Sequence, residues 1–195
     1  INTAGIGVIE HNLQINPKSM SPGDVIIVNG DIGRHGIAII ANREGIEFET
    51  TIESDLAPLN KVVLDMIDNG IEIHCMRDLT RGGLGSALCE LSETSGLRIN
   101  INESDIPVRE DVSGACELLG FDPLFVANEG RFITFVNEKS IDKVFEIMKK
   151  YEVCNGAKVI GRVIGSDEAL VTMKSKIGST RIIDMLSGEQ LPRIC

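Results

Sequence analysis

A thiol at the end of the chain and three short polar motifs are the parts of this sequence best suited to chemistry. Cys195 is the last residue and closes the motif Pro-Arg-Ile-Cys at 192–195, which follows Ser187 and Gly188. Pro192 lacks a backbone donor and resists joining a helix or a sheet ladder, so this tail is expected to be mobile or extended. A thiol on such a tail can visit more than one reaction partner. The alternative interpretation is a frayed end whose last residue happens to be cysteine.

The charges at this terminus bear on the reactivity of the thiol. Cys195 also carries the α-carboxylate of the chain, and a negative charge beside a thiol opposes formation of the thiolate. Arg193 offsets that charge in part. We therefore expect the thiol to need a partner protein for its reaction, since an exposed free thiol is otherwise an oxidation liability.

A glycine-rich turn follows the first buried run of the chain. The β-branched residues 25–28 lead into Gly-Asp-Ile-Gly-Arg-His-Gly at 30–36 and then into an apolar segment at 37–41, a pattern typical of a strand, a turn and a helix. Backbone N–H groups at such a helix start can hold phosphate or carboxylate, and Arg34 or His35 can add charge or a proton. The alternative is a tight turn that needs glycine for positive φ, since no P-loop or dinucleotide fingerprint fits these residues.

A second polar motif, Arg-Asp-Leu-Thr-Arg-Gly-Gly-Leu-Gly at 77–85, follows another strand-like run. Thr80 is expected to cap the helix that runs from there to Gly96, which places Asp78 and Arg81 at the helix entrance. The glycines let another backbone or a ligand approach closely. A structural turn needs a cap and one glycine, so an acid, a hydroxyl and a guanidinium beside paired glycines favour a functional role.

The third motif is a short connection, Val-Ala-Asn-Glu-Gly at 126–130, before a strand at 131–136. It places the amide of Asn128 and the carboxylate of Glu129 beside a glycine. Loop residues held by a rigid scaffold often carry chemistry, so Glu129 is a candidate general base. The alternative is that Glu129 is a plain turn residue.

The elements that must position these motifs alternate along the chain, with consecutive strands near its end. This order predicts an α+β fold, a layered α/β/α arrangement in which helices cover a mixed β-sheet. One domain is expected at 1–186, followed by a flexible tail at 187–195. Helices are predicted at 55–69, 80–96, 107–120 and 139–151, and strands at 1–10, 25–28, 71–76, 97–102, 131–136, 159–164, 169–173 and 180–185.

Composition and charge exclude several classes of protein. With 195 residues and 43% hydrophobic content, the chain can bury a sizeable core. The net charge of -10 argues against nucleic acid or an anionic membrane as a partner, because either would repel most of the surface. No apolar run is long enough to cross a bilayer and no secretion signal opens the chain, so a cytoplasmic protein is expected. The sequence begins without methionine inside a strand-like run, which suggests a fragment or a processed product.

Five cysteines are scattered without the close pairing of a zinc knuckle, and their odd number does not suggest a disulfide framework. They are expected to be reduced thiols. Cys89 and Cys116 lie on apolar helix faces and are expected to fill the core. No metal ligands are predicted in this segment.

Taken together, the motifs resemble those of the C-terminal part of HypE, a family of hydrogenase maturation factors. The resemblance rests on Gly-Arg-His-Gly at 33–36, Asp-Leu-Thr-Arg-Gly-Gly at 78–83, Asn-Glu-Gly at 128–130 and Pro-Arg-Ile-Cys at 192–195, and it spans nearly the whole chain. The first three are shared in looser form with aminoimidazole ribonucleotide synthetase and selenophosphate synthetase, whereas the terminal motif is peculiar to HypE. The resemblance implies a fold like the C-terminal domain of aminoimidazole ribonucleotide synthetase.

The resemblance also implies a specific chemistry. In HypE proteins the terminal cysteine receives a carbamoyl group from the carbamoyltransferase HypF. ATP then drives dehydration of the thiocarboxamide to a thiocyanate, and cyanide passes to the iron of a [NiFe]-hydrogenase precursor carried by HypC and HypD. By this resemblance Cys195 is the carrier thiol and Glu129 the candidate base. The residues expected to line the substrate or nucleotide cleft are His35, Asp78, Thr80, Arg81 and Asn128.

In this family an N-terminal domain and its partner in a homodimer hold most of ATP and Mg²⁺, and that domain is absent from this chain. The segment alone is therefore expected to have little activity. Two alternatives remain. One is an enzyme of the same superfamily that uses ATP on a free small molecule, for which the tail is incidental. The other is a non-catalytic module that only carries a carbamoyl group.

Overall fold

A computed structural model describes residues 4–46, 48–165 and 168–185. Within these ranges the chain forms seven β-strands and five α-helices. In chain order they are β1 (Val25–Val28), α1 (Arg34–Glu44), α2 (Asn60–Asp68), β2 (Ile73–Asp78), α3 (Gly83–Ser95), β3 (Arg98–Asn102), α4 (Glu110–Leu119), β4 (Phe132–Val136), α5 (Ile141–Met148), β5 (Lys158–Ile164), β6 (Val171–Lys174) and β7 (Thr180–Ile183).

The strands join in one mixed sheet with the order β2-β4-β1-β5-β3-β6-β7. Neighbouring strands are antiparallel except for β3 and β6, which are parallel. Most sequential strands are therefore not neighbours, and the sheet is assembled from pairings that are distant in the chain. The predicted α+β class with a mixed sheet is confirmed.

The central strand β1 shows how the sheet divides the core. Its residues are buried on both faces, and alternate side chains point to opposite sides. Ile26 and Val28 join a cluster with α3, whereas Val25 and Ile27 join a second cluster with α2 and α5. A third cluster lies between α1 and α4. Helices thus pack on both faces of the sheet, as the layered α/β/α prediction requires.

The register of the strands brings four loops to one end of the sheet. Val28 at the end of β1 pairs with Ile133 of β4 and with Lys158 of β5, and Asp78 at the end of β2 pairs with Phe132. We call this end the site rim. It comprises the loops 29–33, 79–82, 126–131 and 152–157.

The predictions for residues 1–10 and for the N-cap of α3 are wrong. The strand predicted at 1–10 does not form over the described residues 4–10, which have no regular structure and leave Ile6 and Val8 exposed. Apolar content alone does not make a strand when no neighbouring strand pairs with it. The helix α3 is not capped by Thr80, because its N-cap is Gly82 in the left-handed conformation at φ 70°, without a side-chain cap. The Thr80 hydroxyl donates instead to Asp78 Oδ2 at 2.6 Å.

The cysteine predictions are confirmed for the described thiols. Cys75, Cys116 and Cys154 are buried and Cys89, a residue of α3, is partly buried against the core, all without a disulfide bond. None of the helices formed by the described residues has the length and apolar content to cross a membrane. The tail at 187–195, with its terminal cysteine, lies outside the described residues.

Candidate functional site

Leu79 joins two loops of the site rim. Its backbone N–H donates to the carbonyl of Arg131 at 3.0 Å, and its carbonyl accepts from the backbone N–H of Asn128 at 3.0 Å. These bonds continue the β2–β4 ladder beyond the strands. The second and third polar motifs of the sequence are therefore paired through their backbones.

Asn128 extends this joint to the glycine-rich turn. Its Oδ1 accepts from the backbone N–H of Gly33 at 2.7 Å, and its Nδ2 donates to the carbonyls of Leu79 at 3.1 Å and Val126 at 3.0 Å. The side chain is fully buried. In the structure, Asn128 therefore holds three loops together. A direct contact of Asn128 with a ligand stays a prediction.

The N–H groups of the glycine-rich turn are largely occupied within the protein. Ile32 donates to the carbonyl of Pro107 at 2.9 Å and Gly36 donates to the carbonyl of Ala127 at 3.0 Å. With Gly33 bonded to Asn128 as well, three of the donors that a phosphate would need already have partners. This favours the structural interpretation of the turn over a phosphate-binding one.

Glu129 is held by its backbone while its carboxylate is left available. Its N–H donates to Asp55 Oδ1 at 3.1 Å. The residue is partly exposed, and among the described residues its carboxylate has no hydrogen-bond or ion-pair partner. A carboxylate that is fixed at its backbone and free at its tip can accept a proton from a bound group.

Next to the backbone of Glu129 lies a partly buried ionic cluster that the sequence patterns did not predict. The Arg131 guanidinium donates through Nε to the carbonyl of Asp31 at 2.6 Å and through Nη2 to Asp31 Oδ1 at 2.8 Å. Arg34 Nε donates to Asp31 Oδ2 at 2.7 Å, and Asp55 Oδ2 lies 3.7 Å from Arg131 Nε. The sequence feature that could have pointed to Arg131 is its position directly after the Asn-Glu-Gly motif. No sequence feature pointed to Asp55, because the apolar pattern predicted that it lies inside a helix.

A pocket of about 350 Å³ opens beside this cluster. Its lining is mostly polar and draws on the site rim and on the segment before α2. The lining residues are Asp31, Arg34, Ser54, Asp55, Leu56, Ala57, Arg131, Glu152, Val153 and Asn155. Asp55 therefore both lines the pocket and contacts the loop that carries Glu129.

His35 contacts the same segment. Its Nδ1 lies 2.8 Å from the hydroxyl of Ser54, which also accepts from the backbone N–H of Leu56 at 3.1 Å. The structure thus brings His35 to a lining segment of the pocket. Its position is compatible with the predicted cleft role, which stays a prediction.

Asp78, Thr80 and Arg81 lie at the end of β2 and just beyond it. Asp78 accepts hydrogen bonds from Thr80 at 2.6 Å and from Arg77 Nη1 at 3.0 Å. Arg81 is exposed and has no hydrogen-bond or ion-pair partner in the described part of the chain. A free guanidinium fits an anionic ligand such as a phosphate.

The described residues do not favour chemistry at a buried thiol or at a bound metal ion. Burial raises the pKa of the Cys75, Cys89, Cys116 and Cys154 thiols to about 11, so these thiols stay protonated near neutral pH. No three His, Cys, Asp or Glu side chains converge to hold a metal ion in the ranges that the structure covers. These residues by themselves do not fit the Mg²⁺ that the resemblance implies.

Comparison with known protein families shows to which family the chain belongs. Residues 21–174 match the family model of the AIR synthase related protein, C-terminal domain. The chain belongs to this family. The match thus covers strands β1 to β6 and all of the site rim, and leaves out β7.

Individual relatives are similar to the chain over most or all of its length. The carbamoyl dehydratase HypE of Azotobacter vinelandii is 44% identical over 195 residues, which is 100% of this chain and 57% of that protein. A structure of HypE in complex with ATP has a TM-score of 0.88 at 35% identity, and covers 93% of this chain and 55% of that one. A HypE–HypF complex has a TM-score of 0.82 at 40% identity, with 88% and 56% covered.

These similarities confirm the resemblance to HypE that the sequence motifs indicated. The chain spans a little more than half the length of the curated relatives that it matches.

Proposed function

We propose that this chain is the C-terminal part of an ATP-dependent carbamoyl dehydratase, which converts an S-carbamoyl group on its own Cys195 to a thiocyanate. The observation that carries the proposal is the 44% identity to a carbamoyl dehydratase over all 195 residues, a span that includes the terminal Pro-Arg-Ile-Cys motif. Cyanide from the thiocyanate would supply the iron centre of a [NiFe]-hydrogenase.

The reaction removes one water from the amide of the carbamoyl group. ATP supplies the phosphoryl group that turns the amide oxygen into a good leaving group. The C–O bond then breaks, phosphate departs, and the nitrogen loses both of its protons as the C≡N bond forms. The sulfur–carbon bond to Cys195 stays intact. The protein therefore has to remove protons from nitrogen while it holds the thiocarboxamide in place.

Glu129 is the proposed base for this proton removal. Its support is the arrangement described above, a partly exposed carboxylate without a partner among the described residues on a backbone that is fixed at Asp55. His35, Asp78, Thr80 and Arg81 are proposed to form one wall of the cleft. Asn128 supports that wall from inside the protein.

ATP is proposed to be held mainly by the N-terminal domain of the full-length protein. Of the described residues, Arg81 is the one that best fits a phosphate of the nucleotide, because its guanidinium is exposed and unpaired within the ranges described. We assign no Mg²⁺ ligand to the described residues of this chain.

The length of the chain after β7 is compatible with delivery of Cys195 to the site rim. The strand pairings make β7 antiparallel to β1, so Ile183 lies at the end of the sheet opposite the rim. Four spacings between neighbouring strands and the length of one strand give a straight distance of about 25 Å between Ile183 and the end of β1 at the rim. The twelve residues from 184 to 195 span up to about 40 Å when extended. The excess leaves room for a path around the protein surface.

The proposed partners follow from the same chemistry. A HypF-like carbamoyltransferase would load Cys195, which is supported by the similarity to a HypE–HypF complex. A HypC–HypD complex would accept the cyanide. The full-length protein is proposed to act as a homodimer in the cytoplasm.

The proposal is tested by replacing Cys195 with alanine in the full-length protein. Incubation with the carbamoyltransferase, carbamoyl phosphate and ATP is followed by mass spectrometry of the C-terminal peptide. We expect both the carbamoyl and the thiocyanate adducts to disappear. Modification that persists elsewhere would refute the carrier role. Unchanged ATP-dependent turnover of a free small molecule after deletion of residues 187–195 would instead indicate a different member of the superfamily.

A further inference from the structure

Asp55 contacts three successive residues of the loop that carries Glu129. Its Oδ1 accepts the Glu129 N–H at 3.1 Å across 74 positions of sequence. Its carbonyl oxygen lies so close to Gly130 that a methyl group there would overlap it. Its Oδ2 lies 3.7 Å from Arg131 Nε. A single residue in a segment without regular structure thus holds this loop from one side.

The burial of this carboxylate costs hydration free energy, which its contact with the buried Arg131 guanidinium at 3.7 Å offsets in part. The Asp55 side chain is 0% exposed. Its Oδ2 has no hydrogen-bond partner in the described part of the chain. A charged side chain loses its hydration on burial, and the uncharged amide of Asn can also accept one backbone N–H. An ionised carboxylate accepts a backbone N–H more strongly than a neutral oxygen does, because the hydrogen bond is charge-assisted.

The other side of the loop is anchored by Asn128, whose buried amide bonds to Gly33, Leu79 and Val126. Glu129 therefore lies between two buried anchors. Its own carboxylate has no such bond among the described residues. The arrangement fixes where the Glu129 side chain begins and leaves its tip free to meet a substrate.

We propose that Asp55 is a positioning residue for Glu129. Asp55 fixes the backbone of Glu129, from which the Glu129 carboxylate reaches the carbamoyl group. The proposal rests on the proposed function, because it takes Glu129 as the base. Proton transfer requires hydrogen-bond contact between base and acid, and a displacement of about 1 Å can cost on the order of 100-fold in rate. Loss of the Asp55 bond should therefore slow dehydration and leave the loading of Cys195 unchanged.

The test is a double-mutant cycle on Asp55 and Glu129 in the full-length protein. Cys195 is first carbamoylated by the carbamoyltransferase, ATP is then added, and the rate of thiocyanate formation is followed by mass spectrometry. We expect Asp55→Ala to slow dehydration by about 10- to 100-fold. The double variant with Glu129→Gln should be no slower than Glu129→Gln alone, because Asp55 acts through Glu129.

A matched control is Asp24→Ala. Asp24 is also a buried carboxylate that accepts a backbone N–H, from Ser21 at 2.8 Å, but it lies at the other end of β1. The Asp24→Ala change should lower the free energy of unfolding without changing the dehydration rate of the folded protein. Should Asp55→Ala not fold, Asp55→Ser carries the same expectation, because its hydroxyl is too short to reach Glu129.

The possible outcomes separate this inference from the proposed function. A normal rate for Asp55→Ala, or losses that multiply in the double variant, would overturn the positioning role alone. A normal rate for Glu129→Gln would overturn both the base assignment and the positioning role. Absence of any carbamoyl group on Cys195 in the unaltered protein would remove the proposed function itself, and with it the role of Asp55.

Discussion

The buried amide of Asn128 accepts a hydrogen bond from the backbone N–H of Gly33, with 2.7 Å between Oδ1 and nitrogen. The two residues are 95 positions apart in the chain. They belong to two motifs that the sequence shows as separate. One amide therefore couples the glycine-rich turn to the loop of the candidate base, and changes in either motif should affect the other.

Replacement of Asn128 by alanine should destabilise the protein. The change removes all three side-chain hydrogen bonds of a buried group. The unpaired Gly33 N–H alone should cost about 1–3 kcal/mol of the free energy of unfolding. Urea denaturation measures the loss. Asn137→Ala is the control, because this exposed residue caps a short helix at the surface and its loss should cost about 1 kcal/mol. Equal losses in the two variants would contradict a special role for Asn128.

Glycine at 130 is required by the close approach of the Asp55 carbonyl. A methyl group at this position would overlap that backbone oxygen, so the loop would have to move. We expect Gly130→Ala to cost about 1–3 kcal/mol in the free energy of unfolding, as overpacked cores do. Gly114 in α4 is the matched control, since nothing lies within 4 Å of an added methyl group. Alanine at that helical position should stabilise by about 0.5–1 kcal/mol.

The four described thiols should react slowly with alkylating reagents. Their pKa of about 11 leaves roughly one thiol in a thousand ionised at pH 8, and the thiolate is the reactive form. A solvent-exposed cysteine ionises near pH 8.5. If Cys195 lies on a flexible tail, as the sequence predicts, treatment of the native protein with iodoacetamide should modify it first, as measured by peptide mapping. Early labelling of Cys75 or Cys154 would show that the core opens more readily than this packing allows.

The pair formed by Asp65 and Tyr151 should make stability depend on pH at both extremes. The Tyr151 hydroxyl donates to Asp65 Oδ2 at 3.0 Å, and this bond lowers the pKa of Asp65 below its ordinary 3.8. Its contribution is present above pH 3.8 and is lost as the pH falls through the lowered value. Burial and the nearby carboxylate raise the pKa of Tyr151 above 10.0, so the contribution is lost again as the pH rises past it.

Tyr151→Phe tests this pair. The difference in the free energy of unfolding between the two proteins should be constant near neutral pH and should shrink in strong acid and above pH 10. Chemical denaturation across this range provides the measurement. A difference that stays constant from strong acid to above pH 10 would mean that Tyr151 stabilises the protein through packing alone.

Local sequence patterns predicted much of the fold because they act over short distances. The buried run 25–28 forms β1, and Gly96 and Gly120 end α3 and α4 as expected from their freedom to adopt positive φ. The helix predicted at 55–69 begins only at Asn60. Its first residues are instead held against the Glu129 loop, where Asp55 finds its partner.

The candidate site was predicted in part. The motifs pointed to Glu129 and Asn128, but no local pattern distinguished the free carboxylate of the first from the buried amide of the second. Thr80 had the chemistry of a helix cap, yet a left-handed Gly82 took that position. The partners of Asp31, Asp55 and Arg131 depend on strand pairings distant in the chain. Those pairings arise from the packing of the whole sheet, which local patterns do not specify.

Glu129→Gln should separate the two halves of the proposed reaction. Glutamine keeps the size and the backbone N–H that bonds to Asp55, but it cannot accept a proton at neutral pH. Loading of Cys195 needs no base at this position and should proceed normally. Dehydration should slow by about 10²–10⁴-fold, the usual contribution of general-base catalysis. Mass spectrometry of the C-terminal peptide should then show a carbamoyl adduct that persists after ATP is added.

The control is Glu152→Gln, which alters a carboxylate that lines the neighbouring pocket. It should dehydrate at nearly the unaltered rate if the position of the carboxylate matters, rather than the local negative charge. Equal slowing by both variants would favour an electrostatic effect of the whole pocket. Normal dehydration with Glu129→Gln would place the base elsewhere, because a residue that removes the proton cannot be replaced by an amide without loss of rate.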